Sequence, residues 1–283
     1  SHVSGAFGKM LALAAGGTMY IDEGKPMPGP LWQESLRNLR DVPGRYYVNV
    51  PLGYQLLVEA LETDEDLRRT FFRDLTVLLY GGAGLPQALY ERLQRLAVAT
   101  TGRRVMLISA YGSTETTSGC LAIHFETDKV GLGVPMPGIR VKLVPVDHRY
   151  EVRIAGPVIT PGYLHDPQKT AESRDEEGFY RMGDLAVFHD PADPAQGLAF
   201  AGRVAEEFKL GSGTWICGGQ LKADLLKGLA PLVTEMVICG EGQTYVALLA
   251  WANRAVLEKE FGIPSTAALT GESLGGEALA RLH

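Results

Sequence analysis

Two continuous apolar runs of strand length, each ending in a glycine-rich turn, constrain the fold most. Leu75–Tyr80 runs into the turn Gly81–Gly84, and Val105–Ser109 runs into the segment Ala110–Thr117. Short apolar runs rich in β-branched residues predict strands buried on both faces, as in a parallel sheet. Between them, leucines at helical spacing follow Pro86, a residue that suits a first helical turn. The first part of the chain is therefore expected to be α/β.

Other segments of the first half add strands and helices to this pattern. Apolar residues at helical spacing predict helices at Leu31–Val42 and Tyr54–Leu67. Runs that favour extended backbone predict short strands at Thr18–Ile21 and Tyr46–Val50. Strands and helices therefore alternate up to about residue 125.

The pattern changes twice further along the chain. Over residues 130–201, short β-like runs alternate with turns rich in Gly, Pro and Asp, which predicts a β-rich, barrel-like subdomain. A boundary is expected at Gly202–Lys209, after which helical and strand patterns mix. We expect one large domain over residues 1–203, α/β to about 125 and β-rich over 130–201. A hinge and an incomplete α+β domain are expected over residues 204–283.

Composition limits the classes of function. The chain has 283 residues, 46% of them hydrophobic, and a net charge of −6. A basic stripe is the usual mark of a nucleic-acid partner, and the sequence has no basic run, so no such partner is expected. The longest apolar stretch, Met10–Ile21, is interrupted by glycines and shorter than the ~20 residues of a membrane span, so no membrane partner is expected. Three cysteines without a CxxC pair predict reduced thiols and a cytoplasmic location. The oligomeric state stays open.

Several standard catalytic and cofactor motifs are missing from the sequence. There is no GxSxG nucleophile elbow, no GxGxxG dinucleotide turn and no GxxxxGK[ST] phosphate loop. The six histidines and three cysteines are scattered along the chain, which disfavours a structural zinc site.

The two glycine-rich turns carry the best candidate site. Both follow presumed parallel strands, and open α/β sheets bind ligands at the carboxyl ends of their strands. The turn Gly82–Gly84 would let backbone approach a flat group, and Tyr111 offers a ring to stack on it. Hydroxyls of Ser113, Thr114 and Thr116 suit phosphate oxygens, and Glu115 offers a hard oxygen ligand for Mg²⁺. Either turn alone is most simply an ordinary turn, whereas the two together predict a nucleotide pocket.

A second candidate constellation lies near the end of the β-rich region. Asp184 follows a glycine, and Arg203 comes nineteen residues later. A carboxylate can accept two hydrogen bonds from a ribose diol, and an arginine beside it can serve the sugar or a phosphate. From these residues alone, an aspartate turn and a surface arginine are the favoured explanation.

Five motifs follow one another in a fixed order along the chain. They are Tyr111–Thr116, Gly131–Gly138, Ile154–Pro157 with Gly162–Tyr163, Gly178–Asp184 and Gly202–Arg203. In this order they resemble the AMP-forming adenylating enzymes, the superfamily of acyl-CoA synthetases, luciferases and peptide-synthetase adenylation domains. The resemblance covers roughly residues 75–209, and the segment 1–22 is similar to the family's histidine motif. The segments 24–26, 49–51 and 208–215 are most similar to feruloyl-CoA synthetases.

The resemblance implies a fold and a reaction. The fold would be part of the large N-terminal domain of an adenylate-forming enzyme, followed by part of its small α+β C-terminal domain. The reaction would be that of an acid–CoA ligase. An aromatic carboxylate, such as a hydroxycinnamate, attacks the α-phosphorus of ATP to give an acyl-adenylate and pyrophosphate, and the CoA thiolate then displaces AMP. The implied ligands are ATP or AMP, Mg²⁺, CoA and the carboxylate.

The resemblance also assigns roles to matching residues. Those expected to bind the nucleotide are Gly82, Ala83, Gly84, Tyr111, Gly112, Ser113, Asp184 and Arg203. Tyr111 would stack on adenine, the first three would line the adenine and acyl slots, and Asp184 would bind the ribose hydroxyls with help from Arg203. Those expected to take part in the reaction are His2 at the acyl pocket, Thr114 at the α-phosphate and Glu115 as the Mg²⁺ ligand.

Two family motifs have no counterpart in this sequence. One is the Ser/Thr/Gly-rich phosphate loop that precedes the histidine motif, and the other is the glycine-flanked lysine motif, which is not found after Trp251. The start at Ser1 and the helix-like close at Gly276–His283 predict a piece of a longer protein. By itself this piece is expected to be inactive or nearly so. At the hinge, the family's acidic residue corresponds to Glu206.

Three classes of function stay open at this point. The leading one is the ligase, with an adenylating enzyme that uses a carrier-protein thiol as its variant. The second is a non-catalytic module that keeps adenylate affinity. The third is a structural domain that inherited the fold only, against which the polar residues Tyr111, Glu115, Asp184 and Arg203 argue.

Overall fold

The computed structural model describes residues 3–229 and 232–263, which divide into two compact units. The first unit comprises Ser1–Met182 and Ala186–Phe200, and the second comprises Gly183–Leu185 and Ala201–His283. Within the described ranges, every helix is too short or too polar to span a bilayer.

The helices and strands of the described residues follow in chain order. The α-helices are α1 (Val3–Ala14), α2 (Pro30–Asp41), α3 (Pro51–Thr63), α4 (Glu65–Arg73), α5 (Gln87–Thr101), α6 (Pro167–Glu172), α7 (Gly218–Gly228) and α8 (Arg254–Phe261). The strands are β1 (Tyr46–Asn49), β2 (Val77–Gly81), β3 (Met106–Tyr111), β4 (Leu121–Ile123), β5 (Val134–Pro135), β6 (Arg140–Val146), β7 (Arg149–Ala155), β8 (Tyr180–Phe188), β9 (Leu198–Arg203), β10 (Glu207–Lys209), β11 (Trp215–Cys217), β12 (Val233–Cys239) and β13 (Ala247–Ala252).

The first sheet has the order β1-β2-β3-β4-β5. Strands β1, β2 and β3 are parallel, with Tyr80 opposite both Asn49 and Ser109 in the ladder. Strand β4 pairs antiparallel with β3. The predicted α/β class is therefore confirmed, and the two apolar runs are neighbouring parallel strands.

Helix α5 connects the two strands whose ends carry the candidate site. Pro86 is its N-cap residue, in extended backbone, where a missing N–H costs no helical hydrogen bond. The helix ends at Gly102, whose φ of 75° is left-handed and whose N–H donates to the carbonyl oxygen of Val98. Glycine suits this position because it has no Cβ to oppose a left-handed conformation.

The helix expected at Tyr54–Leu67 is in fact two helices, α3 and α4, separated at Asp64. The Asp64 carboxylate accepts a hydrogen bond from the backbone N–H of Leu67 at 2.8 Å and so caps α4. It also accepts from the Arg40 guanidinium at 2.6 Å. An aspartate cap satisfies backbone donors that a new helix leaves unpaired, so the chain turns where the apolar spacing alone predicts continuity.

The strand expected at Thr18–Ile21 is wrong. These residues are irregular, and their large side chains lie in solvent, with Tyr20 70% and Ile21 82% exposed. A run that favours extended backbone becomes a strand only when a neighbouring strand takes its hydrogen bonds, and among the described residues none pairs with this run.

The first core lies between β1–β3 and helices α2–α5. Its fully buried members include Tyr54, Leu57, Leu61 and Phe72. Complete burial of such a side chain is worth about 1.5–3 kcal/mol. The Tyr54 hydroxyl donates to the carbonyl oxygen of Leu79 in β2 at 2.8 Å, so helix α3 is fixed to the strand by a polar contact as well as by packing.

The predicted β-rich region contains a second sheet with the order β6-β7-β8-β9. Strands β6 and β7 form an antiparallel hairpin, with Val146 opposite Arg149. The core beneath includes Leu121, Val152 and Ile154, against which Tyr111 packs. The end of β3 is thereby anchored in this second core.

The described residues of the second unit after Arg203 include two hairpins and the helices α7 and α8. Strands β10 and β11 pair antiparallel, as do β12 and β13. Met236 of β12 is fully buried, and Leu232, Leu257 and Ile263 form a small core.

Candidate functional site

The loop after β2 contains the first group of predicted nucleotide-binding residues. Gly82, Ala83 and Gly84 are all exposed. Gly82 has a φ of 81°, a left-handed conformation that glycine adopts without steric cost. The loop therefore presents backbone rather than bulky side chains at the carboxyl end of β2.

The loop after β3 contains the second group. Gly112 and Ser113 lead into a 3₁₀ turn, Thr114–Thr116. The Ser113 N–H donates to Thr116 Oγ1 at 2.8 Å, and Thr116 itself is fully buried. Thr114, in contrast, is exposed. The phosphate contact expected of Thr116 is therefore wrong, because its hydroxyl is used inside the loop, whereas Thr114 faces solvent.

Gly112 is required by close packing rather than by its backbone angles. A Cβ at this position would lie 2.6 Å from Thr116 Oγ1, 2.9 Å from the backbone nitrogen of Gly119 and 2.9 Å from the carbonyl oxygen of Ser118. Real Cβ atoms do not approach backbone atoms this closely. The surrounding atoms are already close-packed, so they leave no room for an added methyl group. Glycine is therefore the residue that lets the loop fold back on itself.

Two residues behind the loop adopt left-handed backbone without being glycine. Thr117 has a φ of 52° and Ser118 a φ of 71°. For a β-branched residue this conformation is an outlier, and the hydrogen bond from Thr117 Oγ1 to the carbonyl oxygen of Val158 at 2.9 Å helps to hold it. Such strain is concentrated at functional sites.

Tyr111 is half-buried at the end of β3. Its carbonyl oxygen accepts a hydrogen bond from the Cys120 N–H at 2.8 Å, which closes the loop between β3 and β4. Its side chain packs against the second core. This packing fixes the position of the ring beside the loop.

Glu115 is the most connected of the predicted site residues. Its Oε1 accepts a hydrogen bond from the Tyr163 hydroxyl at 3.0 Å. Its carbonyl oxygen accepts one from the Thr160 N–H at 2.7 Å. The turn after β3 is therefore tied to a segment more than forty residues away in the sequence.

Several donors keep Glu115 ionised. Its own backbone N–H and then the Ser113 side chain hold the pKa of the Glu115 carboxyl below its usual range, against the opposing effect of burial, and Tyr163 and Lys169 add smaller lowering effects. An anionic carboxylate is a hard oxygen ligand of the kind that Mg²⁺ prefers.

The donor set fits a metal that arrives with a phosphate. In the described part of the chain, no group of three or more His, Cys, Asp and Glu side chains could hold a metal ion. Mg²⁺ is commonly bound by one or two carboxylates together with substrate phosphates and waters. The single carboxylate of Glu115, beside the hydroxyls of Ser113 and Thr114, has this character.

Asp184 and Arg203 belong to the second unit and contact each other. The Arg203 Nε lies 3.3 Å from Asp184 Oδ1. Asp184 is only 4% exposed, whereas the Arg203 side chain is 61% exposed. The structure thus brings together the two residues that sequence reasoning placed at one ribose. His2 lies outside the described residues.

Tyr163 and Tyr180 also belong to the site, although no role was predicted for them from the sequence. Both lie within motifs that the sequence analysis quoted, yet neither received a role. Their hydroxyls are 3.1 Å apart, and Tyr163 contacts Glu115. The sequence shows only that each of the two motifs contains a tyrosine. It does not show that the two hydroxyl groups contact each other.

Comparison with known proteins gives a single family. The sequence model of the AMP-binding enzyme family matches residues 1–164. The long-chain-fatty-acid–CoA ligase of Thermus thermophilus is 29% identical over 223 residues, which cover 71% of this chain and 38% of that ligase. The probable non-canonical nonribosomal peptide synthetase CymA of Salinispora arenicola is 30% identical over 258 residues, 86% of this chain and 3% of CymA.

A solved structure of a CoA ligase is also similar to this chain. A malonyl-CoA ligase with methylmalonyl-CoA and AMP bound is 28% identical with a TM-score of 0.52, and the match covers 89% of this chain and 51% of the ligase. The chain therefore spans well under half the length of these two curated relatives and about half of this solved one.

Proposed function

We propose a function for this chain on the basis of its family and its site. The chain belongs to the AMP-binding enzyme family. Its two glycine-rich loops bind the adenylate of an acid–CoA ligase reaction. The observation that carries the proposal is the position of these loops. Both follow neighbouring parallel strands, β2 and β3, at the edge where open α/β sheets bind ligands. One loop offers exposed backbone, and the other offers an aromatic ring, hydroxyls and a carboxylate.

Each group has a task that its chemistry suits. The Tyr111 ring stacks on adenine, and such base–aromatic stacking is worth about 1–3 kcal/mol. The exposed Thr114 hydroxyl donates to the α-phosphate. Glu115 binds the cation, which when present neutralises charge on the phosphate oxygens. Aligned in this way, a carboxylate can attack the α-phosphorus with pyrophosphate as the leaving group, because positioning and charge neutralisation lower the barrier.

The ribose role is proposed separately for the second unit. A buried, anionic Asp184 can accept hydrogen bonds from both hydroxyls of a ribose, and Arg203 beside it restrains the carboxylate. His2 is proposed at the acyl pocket on motif similarity alone.

The finer assignment is an aromatic carboxylate as substrate, a hydroxycinnamate for example, with CoA as acceptor and the cytoplasm as location. Its support is the similarity of segments 24–26, 49–51 and 208–215 to feruloyl-CoA synthetases. The chain as given lacks the phosphate loop and the lysine motif, so we propose that it binds adenylates without turning over rapidly. Robust ATP–pyrophosphate exchange by a sample of verified mass would contradict this part.

A carrier-protein thiol is the second candidate acceptor. The match to CymA, a peptide synthetase by its name, covers 86% of this chain and favours it. Calorimetric titration of CoA into the AMP-loaded protein separates the two. Saturable CoA binding supports the ligase, and binding of a phosphopantetheine-bearing carrier domain in its place supports the alternative.

Isothermal titration calorimetry with AMP tests the proposal on the chain as it stands. We expect one saturable site, weakened at least tenfold by Tyr111→Ala, a loss that corresponds to about 1.4 kcal/mol. Tyr245→Ala is the matched control, because Tyr245 is a tyrosine of the second unit with 60% exposure and no assigned role. Folded wild-type protein that binds no AMP would contradict the proposal.

A further inference from the structure

A row of hydroxyl groups leads from a buried tyrosine to the carboxylate of Glu115. The Tyr180 hydroxyl lies 3.1 Å from the Tyr163 hydroxyl, which in turn lies 3.0 Å from Glu115 Oε1. All three residues belong to the first unit. Tyr180 is 8% exposed, so the row runs from the second core to the turn that follows β3.

The direction of the hydrogen bonds follows from the chemistry of the groups. An ionised carboxylate only accepts, and a phenol has one proton to donate. Tyr163 therefore donates to Glu115, and Tyr180 donates to the oxygen of Tyr163. Burial raises the pKa of the Tyr180 phenol well above its usual value, which keeps that proton in place.

The backbone around Tyr163 is fixed independently of this row. The Tyr163 N–H donates to Thr170 Oγ1 at 2.9 Å, and the Thr160 N–H donates to the carbonyl oxygen of Glu115 at 2.7 Å. A Cβ on Gly162 would lie 2.5 Å from Thr170 Cγ2. The segment that carries Tyr163 is thus packed tightly enough to hold its hydroxyl in one place.

A charge lies over the Tyr163 ring as well. The Lys169 Nζ is 4.5 Å from the ring centroid. A cation over an aromatic face is attracted to the ring, and it draws electron density from the phenol, which makes its O–H a stronger donor to Glu115.

We propose that Tyr163 is a positioning residue, which, with Tyr180 behind it, orients the Glu115 carboxylate toward the cation of a bound nucleotide. The inference rests on the proposed function. A glutamate side chain has several rotamers, and fixing one of them in advance removes an entropy cost from cation binding. The hydrogen bond to Oε1 restricts rotation of the planar carboxylate and thereby limits the positions of Oε2 as well.

The test measures the affinity for ATP with and without Mg²⁺ by calorimetry, in the wild-type chain and in Tyr163→Phe and Tyr180→Phe. The readout is the ratio of the ATP affinity with Mg²⁺ to the affinity without it. If Tyr163 only supported the fold, its substitution would lower both affinities alike and leave the ratio unchanged. We expect Tyr163→Phe to reduce the ratio about three- to tenfold, the range of one ordinary hydrogen bond. Tyr180→Phe should reduce it less.

Two further variants complete the design. Tyr150→Phe removes a phenol hydroxyl from strand β7, where the ring packs edge-to-face against Phe188, and should leave the ratio unchanged. In a Glu115→Gln background, Tyr163→Phe should have no further effect on the ratio, because its partner no longer binds the cation.

The outcomes separate the inference from the function on which it rests. A ratio that Glu115→Gln lowers and Tyr163→Phe leaves unchanged overturns the inference and leaves the proposed function standing. A folded wild-type chain that binds neither ATP nor AMP overturns both. Should Tyr163→Phe fail to fold, Tyr180→Phe carries the same test, and an unchanged ratio in that variant overturns the inference.

Discussion

Gly81 lies directly beside Ala110 in the parallel ladder between β2 and β3. A Cβ on Gly81 would come within 3.1 Å of the Ala110 carbonyl oxygen, so glycine allows the two strands to end close together. Because the strands run in the same direction, the loops Gly82–Gly84 and Gly112–Thr116 leave the sheet at one edge. The proposed adenylate site is a consequence of this pairing.

The first prediction concerns the tightest point of the second loop. Gly112→Ala places a methyl group against Thr116 Oγ1 and two backbone atoms, and such overpacking costs about 1–3 kcal/mol. We expect lower stability in urea unfolding and a loss of AMP affinity in the protein that remains folded. Gly44→Ala is the control, since its nearest contact would be an ordinary 3.5 Å. Equal stability of the two variants would contradict the packing argument.

The second prediction concerns recognition of the sugar. Asp184→Asn keeps the shape of the side chain and removes its charge, so hydrogen bonds from ribose hydroxyls weaken. We expect AMP to bind about tenfold more weakly to the variant, equivalent to about 1.4 kcal/mol. The wild-type chain should discriminate against 2′,3′-dideoxy-AMP, and the variant should discriminate less. A variant that retains the full discrimination would remove Asp184 from the ribose site.

The third prediction concerns the boundary between α3 and α4. Asp64→Ala removes the cap on the Leu67 N–H and the ion pair with Arg40, and loss of an N-cap costs about 0.5–2 kcal/mol. We expect a lower midpoint in urea unfolding with AMP affinity unchanged. Asp66→Ala, an exposed aspartate in the first turn of the same helix, should have a smaller effect. A larger effect for Asp66→Ala would show that helix charge matters more than the cap.

The fourth prediction concerns acid stability in the β-rich region. Asp175 accepts hydrogen bonds from Lys142 Nζ at 2.9 Å, from the Phe179 N–H at 2.9 Å and from Arg153 Nη1 at 3.2 Å. The bond from Lys142, and then those from Phe179 and Arg153, hold the pKa of Asp175 well below its usual range. This lowered pKa stabilises the fold above the unfolded-chain pKa of about 3.9. The contribution is lost as the pH falls below that value toward the folded pKa.

Asp175→Asn should therefore destabilise the chain at pH 7 by its full amount, and by progressively less as the pH falls from about 4 toward the folded pKa of Asp175. The measurement is urea unfolding of both proteins at several pH values, with Asp147→Asn, in the exposed turn between β6 and β7, as control. A stability difference that is constant with pH would show that Asp175 acts through its shape and not through its charge.

Periodicity alone was enough to predict the elements that position the site. The runs Leu75–Tyr80 and Val105–Ser109 are short and apolar and lead into turns that contain glycine, and they largely coincide with β2 and β3. Asp64 shows the limit of this reasoning. In a charged stretch, an aspartate that caps a helix has the same sequence appearance as one on a solvated helix face.

The contacts that complete the site could not be predicted from spacing. Glu115 and Tyr163 are 48 residues apart, and their meeting depends on how the second sheet places its loops. The left-handed conformation of Thr117 and Ser118 runs against the local preference of both residues, because surrounding packing and hydrogen bonds impose it. Such features are fixed by tertiary structure.

The most direct test of the central claim is photolabelling of the intact chain with 8-azido-AMP, followed by mapping of the labelled tryptic peptides. The two loops lie in the peptides 74–92 and 105–129. We expect label in one or both of these peptides and its loss in excess AMP. Label confined to other peptides, or label that excess AMP does not displace, would contradict an adenylate site at the ends of β2 and β3.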